Sequence, residues 1–244
     1  MIGLQLYTVR DVISDKQSAD ATVKRIKEMG YECTQVAGSI EHIELTVNAC
    51  IENGLKVVGI LGHIELCYED EKRLFAIAEK AQVEDIAISN WKISSEEEVN
   101  EYILKVNEFA KKVREKGYTF SYHNHSNEFI RTKNGKTIMQ MFLEGFDKEI
   151  YLMPDTYWLQ HGGMDVRQFI EDYGDRVKIL HLKDLKRAKE GPTFAELGIG
   201  NINFEGVLQI AKSKGIKHYV VEQDVCENSL ESAKISLEYL NKII

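Results

Sequence analysis

The 244 residues are 43% hydrophobic and 29% charged, enough for a full core, and the length suits either two small domains or one α/β barrel. A net charge of -8, with lysines and arginines scattered rather than striped, weighs against a nucleic-acid partner and favours a small molecule. No apolar run approaches the ~20 residues that span a bilayer. The four cysteines form no CxxC and "MIGLQLYTVR" lacks the charged-then-apolar pattern of an export signal, so a reduced cytoplasmic protein with no membrane partner is expected.

In chain order, the first expected strand is "IGLQLY" from Ile2 to Tyr7. A helix follows in "SADATVKRIKEMG", where Ala19, Val23, Ile26 and Met29 form one stripe that ends at Gly30. Seven further strand candidates come next: "YECTQV", "LKVVGIL", "EDIAIS", "YTFSYH", "EIYLMP", "VKILHL" and "KHYVVE", each preceded by a segment with helical spacing. Gly30, Gly54, Gly117 and Gly215 each stand just before an apolar run, the place of a helix C′ residue. The charged "SSEEEVNEYILKVNEFAKKVREKG" reads as an exterior helix opened by a Ser95 to Glu98 capping box. No linker or low-complexity stretch divides the chain, so residues 1–244 are expected to form one domain. Eight strand-helix units in about 250 residues predict a (β/α)8 TIM barrel, and the absence of a GxGxxG or Walker pattern weighs against a doubly wound sheet.

Chemistry in such a barrel lies where strands end and βα loops begin. Those positions carry Gln5 and Tyr7; Gln35; His63 and Glu65; Asn90 and Trp91; His123, His125 and Glu128; Asp155, Tyr157 and Trp158; His181, Lys183 and Asp184; and Glu222, Gln223 and Asp224. His123 and His125 are two apart and share a face if the segment is extended. Carboxylates with imidazoles make a mixed oxygen and nitrogen set suited to one divalent ion such as Mn, Mg, Co or Zn. Blander readings compete. Asp155 also suits an N-cap, His181 a core histidine, and Lys183 with Asp184 a solvated ion pair worth ~0–1 kcal/mol. Glu222, directly after "HYVV", is the hardest to dismiss, because carboxylates are rarely buried unpaired. His63, Trp91 and Trp158 suit a packed rim or a substrate-facing wall.

"YHNHSNEF", "DTYWLQHGG", "HLKD", "ELGIGNINF" and "YVVEQD", in that order, resemble the motif series of the xylose isomerase-like TIM-barrel superfamily, in its sugar phosphate isomerase/epimerase branch. The resemblance covers essentially the whole chain. It implies a metal-dependent isomerase or epimerase of a sugar, keto-sugar or sugar phosphate, working by proton transfer through a metal-stabilised enediolate. It carries Asp155, His181 and Glu222 over as metal ligands, with Glu128 as the first ligand and His123 as its competitor for that place. Glu128 and Glu222 would exchange the proton, His123 or His125 could carry it instead, and Lys183 would contact an oxyanion or phosphate. Gln5, His63, Trp91 and Trp158 would face the sugar. The same parts permit β-elimination, so a sugar dehydratase or lyase is the nearest alternative, ahead of a non-catalytic sugar-binding protein; an apurinic-site endonuclease is disfavoured by the charge. Gln35, where relatives commonly carry a glutamate, and Ile199, inside "GIG", depart from the pattern. No phosphate-cradling loop is visible, which leans toward an unphosphorylated substrate, and a homo-oligomer is compatible with the chain.

Overall fold

The computed structural model of the chain describes residues 1–89, 93 and 95–244. Eight parallel strands form one sheet: β1 (Ile2–Gln5), β2 (Cys33–Ala37), β3 (Lys56–His63), β4 (Asp85–Ser89), β5 (Thr119–His123), β6 (Ile150–Met153), β7 (Ile179–Leu182) and, after a hairpin of β8 (Asp184–Ala188) and β9 (Gly191–Ala195), β10 (His218–Val221). Their order, β6-β5-β4-β3-β2-β1-β10-β7, brings the two ends of the sheet together. Between β6 and β7 the seam is held by bridges pairing Leu152 with Val177 and Asp155 with His181, with the His181 amide donating to the Pro154 carbonyl at 3.0 Å. The result is a nearly closed TIM barrel, as the alternation of elements predicts.

Helices α1 (Lys16–Met29), α2 (Ile40–Asn53), α3 (Ile64–Glu69), α4 (Glu71–Ala81), α5 (Glu96–Glu115), α6 (Ile138–Gly145), α7 (Thr156–His161), α8 (Val166–Tyr173), α9 (Phe204–Ser213) and α10 (Ser229–Ile243) lie between and after the strands. The expected stripe of α1 is buried at Ala19, Val23 and Ile26, each worth up to ~1.5–3 kcal/mol when large and fully covered. α5 opens on the expected capping box: the Glu98 amide donates to Ser95 Oγ, and the Ser95 amide to Glu98 Oε2. Gly30, Gly54, Gly117 and Gly215 all have positive φ, the helix-ending conformation that glycine adopts without a Cβ penalty. Among the described residues no helix is long and apolar enough to cross a membrane.

Among the described residues, the hairpin is the one strand pair that the periodicity does not announce. Lys186 and Arg187 on β8 and Pro192 and Thr193 on β9 are exposed, so neither strand alternates apolar with polar, and its turn reverses at Gly191, φ +142°. Inside the barrel a small apolar plug of Cys33, Val58, Ala87, Ile179 and Val220 fills the lower part. Above it the interior turns polar.

Candidate metal centre

Four strand ends deliver four ligand-type side chains to one point. His123 closes β5, Asp155 follows β6, His181 lies in β7 and Glu222 follows β10; one nitrogen or oxygen from each lies within 4.8 Å of all the others. All four are buried, Asp155 and His181 completely. Asp155 serves two ends at once. Its Oδ1 caps α7 by accepting the Trp158 amide at 3.0 Å, as the bland reading supposed, while Oδ2 faces the cluster.

Lys183, 1% exposed, sets its ammonium 2.9 Å from Asp155 Oδ2, 3.0 Å from Glu222 Oε2 and 3.0 Å from both oxygens of Asp224. It is therefore a buried ion pair network, not the solvated pair with Asp184. Burial opposes charging all of these groups. Even so, the three carboxylates hold Lys183 above the ordinary lysine range, and Lys183 followed by His181 holds Glu222 well below the carboxylate range. Asp155 is pushed up to about 6 by burial, against the pull of Lys183. Burial likewise pushes His125 down to about 3 and His123 well below the usual imidazole value, so both rings are neutral.

The donor set fits a divalent cation on three counts. Three carboxyl groups, Asp155, Glu222 and Asp224, surround one ammonium, an excess of acidic groups that a cation would offset. His123 Nδ1 is buried with no hydrogen-bond partner among the described residues, although an imidazole nitrogen in such a place ordinarily has one. His181 Nδ1 faces Glu222 Oε2 at 2.8 Å, so these two atoms would be the ones to hold a common ion.

Glu128, expected as first ligand and as a proton carrier, is not brought to this group. Its carboxylate accepts the Tyr122 hydroxyl at 2.8 Å and the His125 amide at 3.0 Å, and burial pushes it up to about 7. The reason is strand parity: Ser121 and His123 point into the barrel, so Tyr122 points out, against Phe142 and Phe146, and the turn Asn127–Phe129 folds Glu128 back onto that outer side. His123 takes the interior place.

Above the group a cavity of about 100 Å³ is lined by Tyr7, Gly38, Leu61, His63, Ser89 and His125, with His123, Lys183 and Glu222 at its floor. His63 and His125 thus stand where a substrate-facing role was expected. Trp158 lies beside it, its ring 5.3 Å from His125 and 5.6 Å from the Lys183 ammonium, in an aromatic group with Tyr157 and Phe194 of the hairpin. Gln5 does not line the cavity; it is fully buried and donates to Gln35 Oε1 at 2.8 Å. Trp91 lies outside the described residues. Gln35, bonded to His181, and Asp224, bonded to Lys183, take part although neither was expected to have a site role. For Asp224 the signal available was a second acidic group at the end of "YVVEQD", beside the one already assigned.

A parallel eight-stranded barrel with a buried histidine and carboxylate group at the C-terminal ends of its strands defines a TIM barrel with a candidate metal site. Residues 14–243 match the family described as "Xylose isomerase-like TIM barrel", and the chain belongs to it. Among curated relatives, the inosose dehydratase of Clostridium perfringens (strain 13 / Type A) is 25% identical over 170 residues, covering 62% of this chain and 56% of that protein. The match therefore spans little more than half the length of that relative. Among solved structures, a sugar phosphate isomerase/epimerase from Parabacteroides distasonis ATCC 8503 superposes with a TM-score of 0.81 at 24% identity, covering 99% of this chain and 97% of that one. A 3-keto-D-glucoside 4-epimerase from E. coli superposes with a TM-score of 0.74 at 16% identity, covering 99% and 98%.

Proposed function

We propose that the protein is a divalent-metal-dependent enzyme that removes the proton next to the carbonyl of a keto-polyol or keto-sugar, and that the outcome is loss of water. The carrying observation is the buried group of His123, Asp155, His181 and Glu222, which would hold the ion. A divalent ion bound there supplies Lewis-acid polarisation of a carbonyl and its neighbouring hydroxyl, which acidifies the C–H between them.

The chain's own groups supply the rest. Glu222, His123 and His125 are the expected proton carriers that line the cavity, whereas Glu128 is held by Tyr122 and the His125 amide outside it. Exchange of a proton between two carboxylates, as expected from the motif series, therefore lacks its second carboxylate. Elimination needs less: Glu222 takes the C–H proton, that electron pair becomes the new C=C bond, the β C–O bond breaks, and the departing hydroxide takes the same proton back from Glu222 and leaves as water. Lys183, fixed by three carboxylates, presents a stationary positive charge to the oxygen that gains electron density. The inosose dehydratases among the relatives support the same outcome. Sugar phosphates fit less well, since Lys183 is already committed to Asp155, Glu222 and Asp224.

The test is proton NMR in deuterated water with inososes and unphosphorylated keto-sugars, with Mn, Mg, Co or Zn added. Loss of water that requires the ion and falls ~10²–10⁴-fold in Glu222→Gln is expected. Deuterium at carbon with every hydroxyl retained would assign isomerisation or epimerisation instead. No turnover of either kind by the metal-loaded protein would remove the proposal.

A further inference from the structure

We infer that Gln35 is a positioning residue that fixes the imidazole of His181 with its proton on Nε2, leaving Nδ1 as the atom that meets the metal. The inference rests on the metal reading above and adds which nitrogen binds and what decides it.

The hydrogen-bond directions form a chain with no free choice in it. It starts at the backbone: the Tyr7 amide can only donate, and it donates to Gln5 Oε1 at 3.3 Å. The other end of that amide, Gln5 Nε2, must then donate, and its acceptor is Gln35 Oε1 at 2.8 Å. Gln5 and Gln35 sit directly opposite in the β1–β2 register, which is why these side chains meet. With its oxygen so directed, Gln35 turns Nε2 toward the Met153 sulfur at 3.3 Å. His181 Nε2 lies 2.6 Å from the same Gln35 oxygen. An oxygen cannot donate, so the proton of that bond belongs to His181 Nε2.

Burial removes the usual escape. Gln5, Gln35 and His181 are each 0% exposed, so no solvent can substitute for a lost partner. A flipped Gln35 amide would point its NH₂ at the Gln5 Nε2 donor and its oxygen at the Met153 sulfur, leaving two clashing groups where the present orientation leaves none. Space is tight as well: a Cβ at Gly59 would sit 3.2 Å from Gln35 Nε2, so the neighbouring strand leaves just enough room for the amide as it stands. On the far side of the ring, Nδ1 faces Glu222 Oε2 at 2.8 Å, and two lone pairs at that distance repel unless a proton or a cation lies between them. The imidazole is thus delivered with one nitrogen tied to the barrel interior and the other presented to the ion, the arrangement in which outer partners orient a ligating histidine. Gln35 also does this without charge. A carboxylate at this position would accept the same bond but add a further acidic group to the centre.

The experiment uses the full chain labelled with ¹⁵N-histidine and loaded with Zn²⁺, with His181 assigned by its disappearance in His181→Ala. Long-range ¹H–¹⁵N correlation is expected to show His181 with a slowly exchanging proton on Nε2 and its Nδ1 shifted by the metal; the reverse pattern overturns the inference without any need for a further variant. Zn²⁺ titration then compares Gln35→Met, which keeps bulk and removes the acceptor, with Gln35→Glu, which keeps the acceptor. A ~10–100-fold weaker affinity in the former, restored to within a few-fold in the latter, is expected. Wild type that binds no Zn²⁺ would sink the metal reading itself, whereas wild-type binding matched by Gln35→Met would sink only the role of Gln35.

Discussion

The Tyr122 hydroxyl donates a 2.8 Å hydrogen bond to Glu128 Oε1 on the outer side of the barrel wall, and this bond keeps Glu128 out of the candidate metal centre. Glu128→Gln is therefore expected to leave the metal content per chain unchanged, as elemental analysis would show. Tyr122→Phe carries a pH signature. Glu128 is raised from the ordinary glutamate range to about 7 by burial, so the folded state favours its neutral form. Its contribution to stability is full below the unfolded glutamate value and is lost as pH rises through about 7. Above that pH the buried charge depends on its donors, and Tyr122→Phe should cost ~1.5–3 kcal/mol at pH 8 and clearly less at pH 5.5, read by urea denaturation at both.

Divalent metal should stabilise the fold through the quartet. An ion present at 100 times its dissociation constant adds ~2.7 kcal/mol, which for a chain of this size raises Tm by roughly 5–10 °C. The rise should vanish in His181→Ala and in His123→Ala, and be reversed in wild type by a chelator, all followed by thermal denaturation. Retention of the full rise in His123→Ala would return the first-ligand place to another group.

How much of this was legible in the sequence depends on how local the determinant is. Barrel strands announce themselves because each is a short apolar run between a helix-ending glycine and a polar loop, and Asp155, His181 and Glu222 stand out as costly groups at three consecutive strand ends. The choice between His123 and Glu128 is different in kind. Both lie within one short motif, and only the parity of β5 and the fold-back of the turn after it decide which one enters the barrel. The link from Gln5 through Gln35 to His181 joins β1, β2 and β7, so no single window contains it. The β8–β9 hairpin escaped because exposed charges and Pro192 leave it no apolar rhythm, its order coming instead from Phe194 stacked on Tyr157 at 4.2 Å.

Lys183 compensates the carboxylates whether or not an ion is present, so its removal should make the protein depend on metal. Lys183→Met leaves Asp155, Glu222 and Asp224 without their buried cation, a loss of ~3–5 kcal/mol in metal-free protein. Added Mn²⁺ or Zn²⁺ should recover more Tm in this variant than in wild type, while turnover stays low because the fixed positive charge is missing. Equal metal-induced shifts in the two proteins would mean that the ammonium does not share the carboxylates with the ion.

Asp184, the last residue of "HLKD", faces away from Lys183 and organises the loop that follows the hairpin. Its two oxygens accept the amides of Leu185, Gly198, Gly200 and Ile202 at 2.8–3.1 Å. The two glycines are required by space: a Cβ at Gly200 would lie 2.3 Å from Asp184 Oδ1, and one at Gly198 would lie 2.2 Å from the Tyr239 ring. Asp184→Asn replaces one acceptor oxygen with a donor and sets it against backbone donors, so ~2–4 kcal/mol of stability should be lost, more than an exposed loop contact could explain. Amide hydrogen exchange locates the damage. Gly198, Gly200 and Ile202 should lose protection by at least tenfold while the amides of β5 and β6 keep theirs, because the carboxylate pins the loop and not the barrel. Uniform loss across the sheet would show instead that this loop helps to hold β7 and β10 in the barrel.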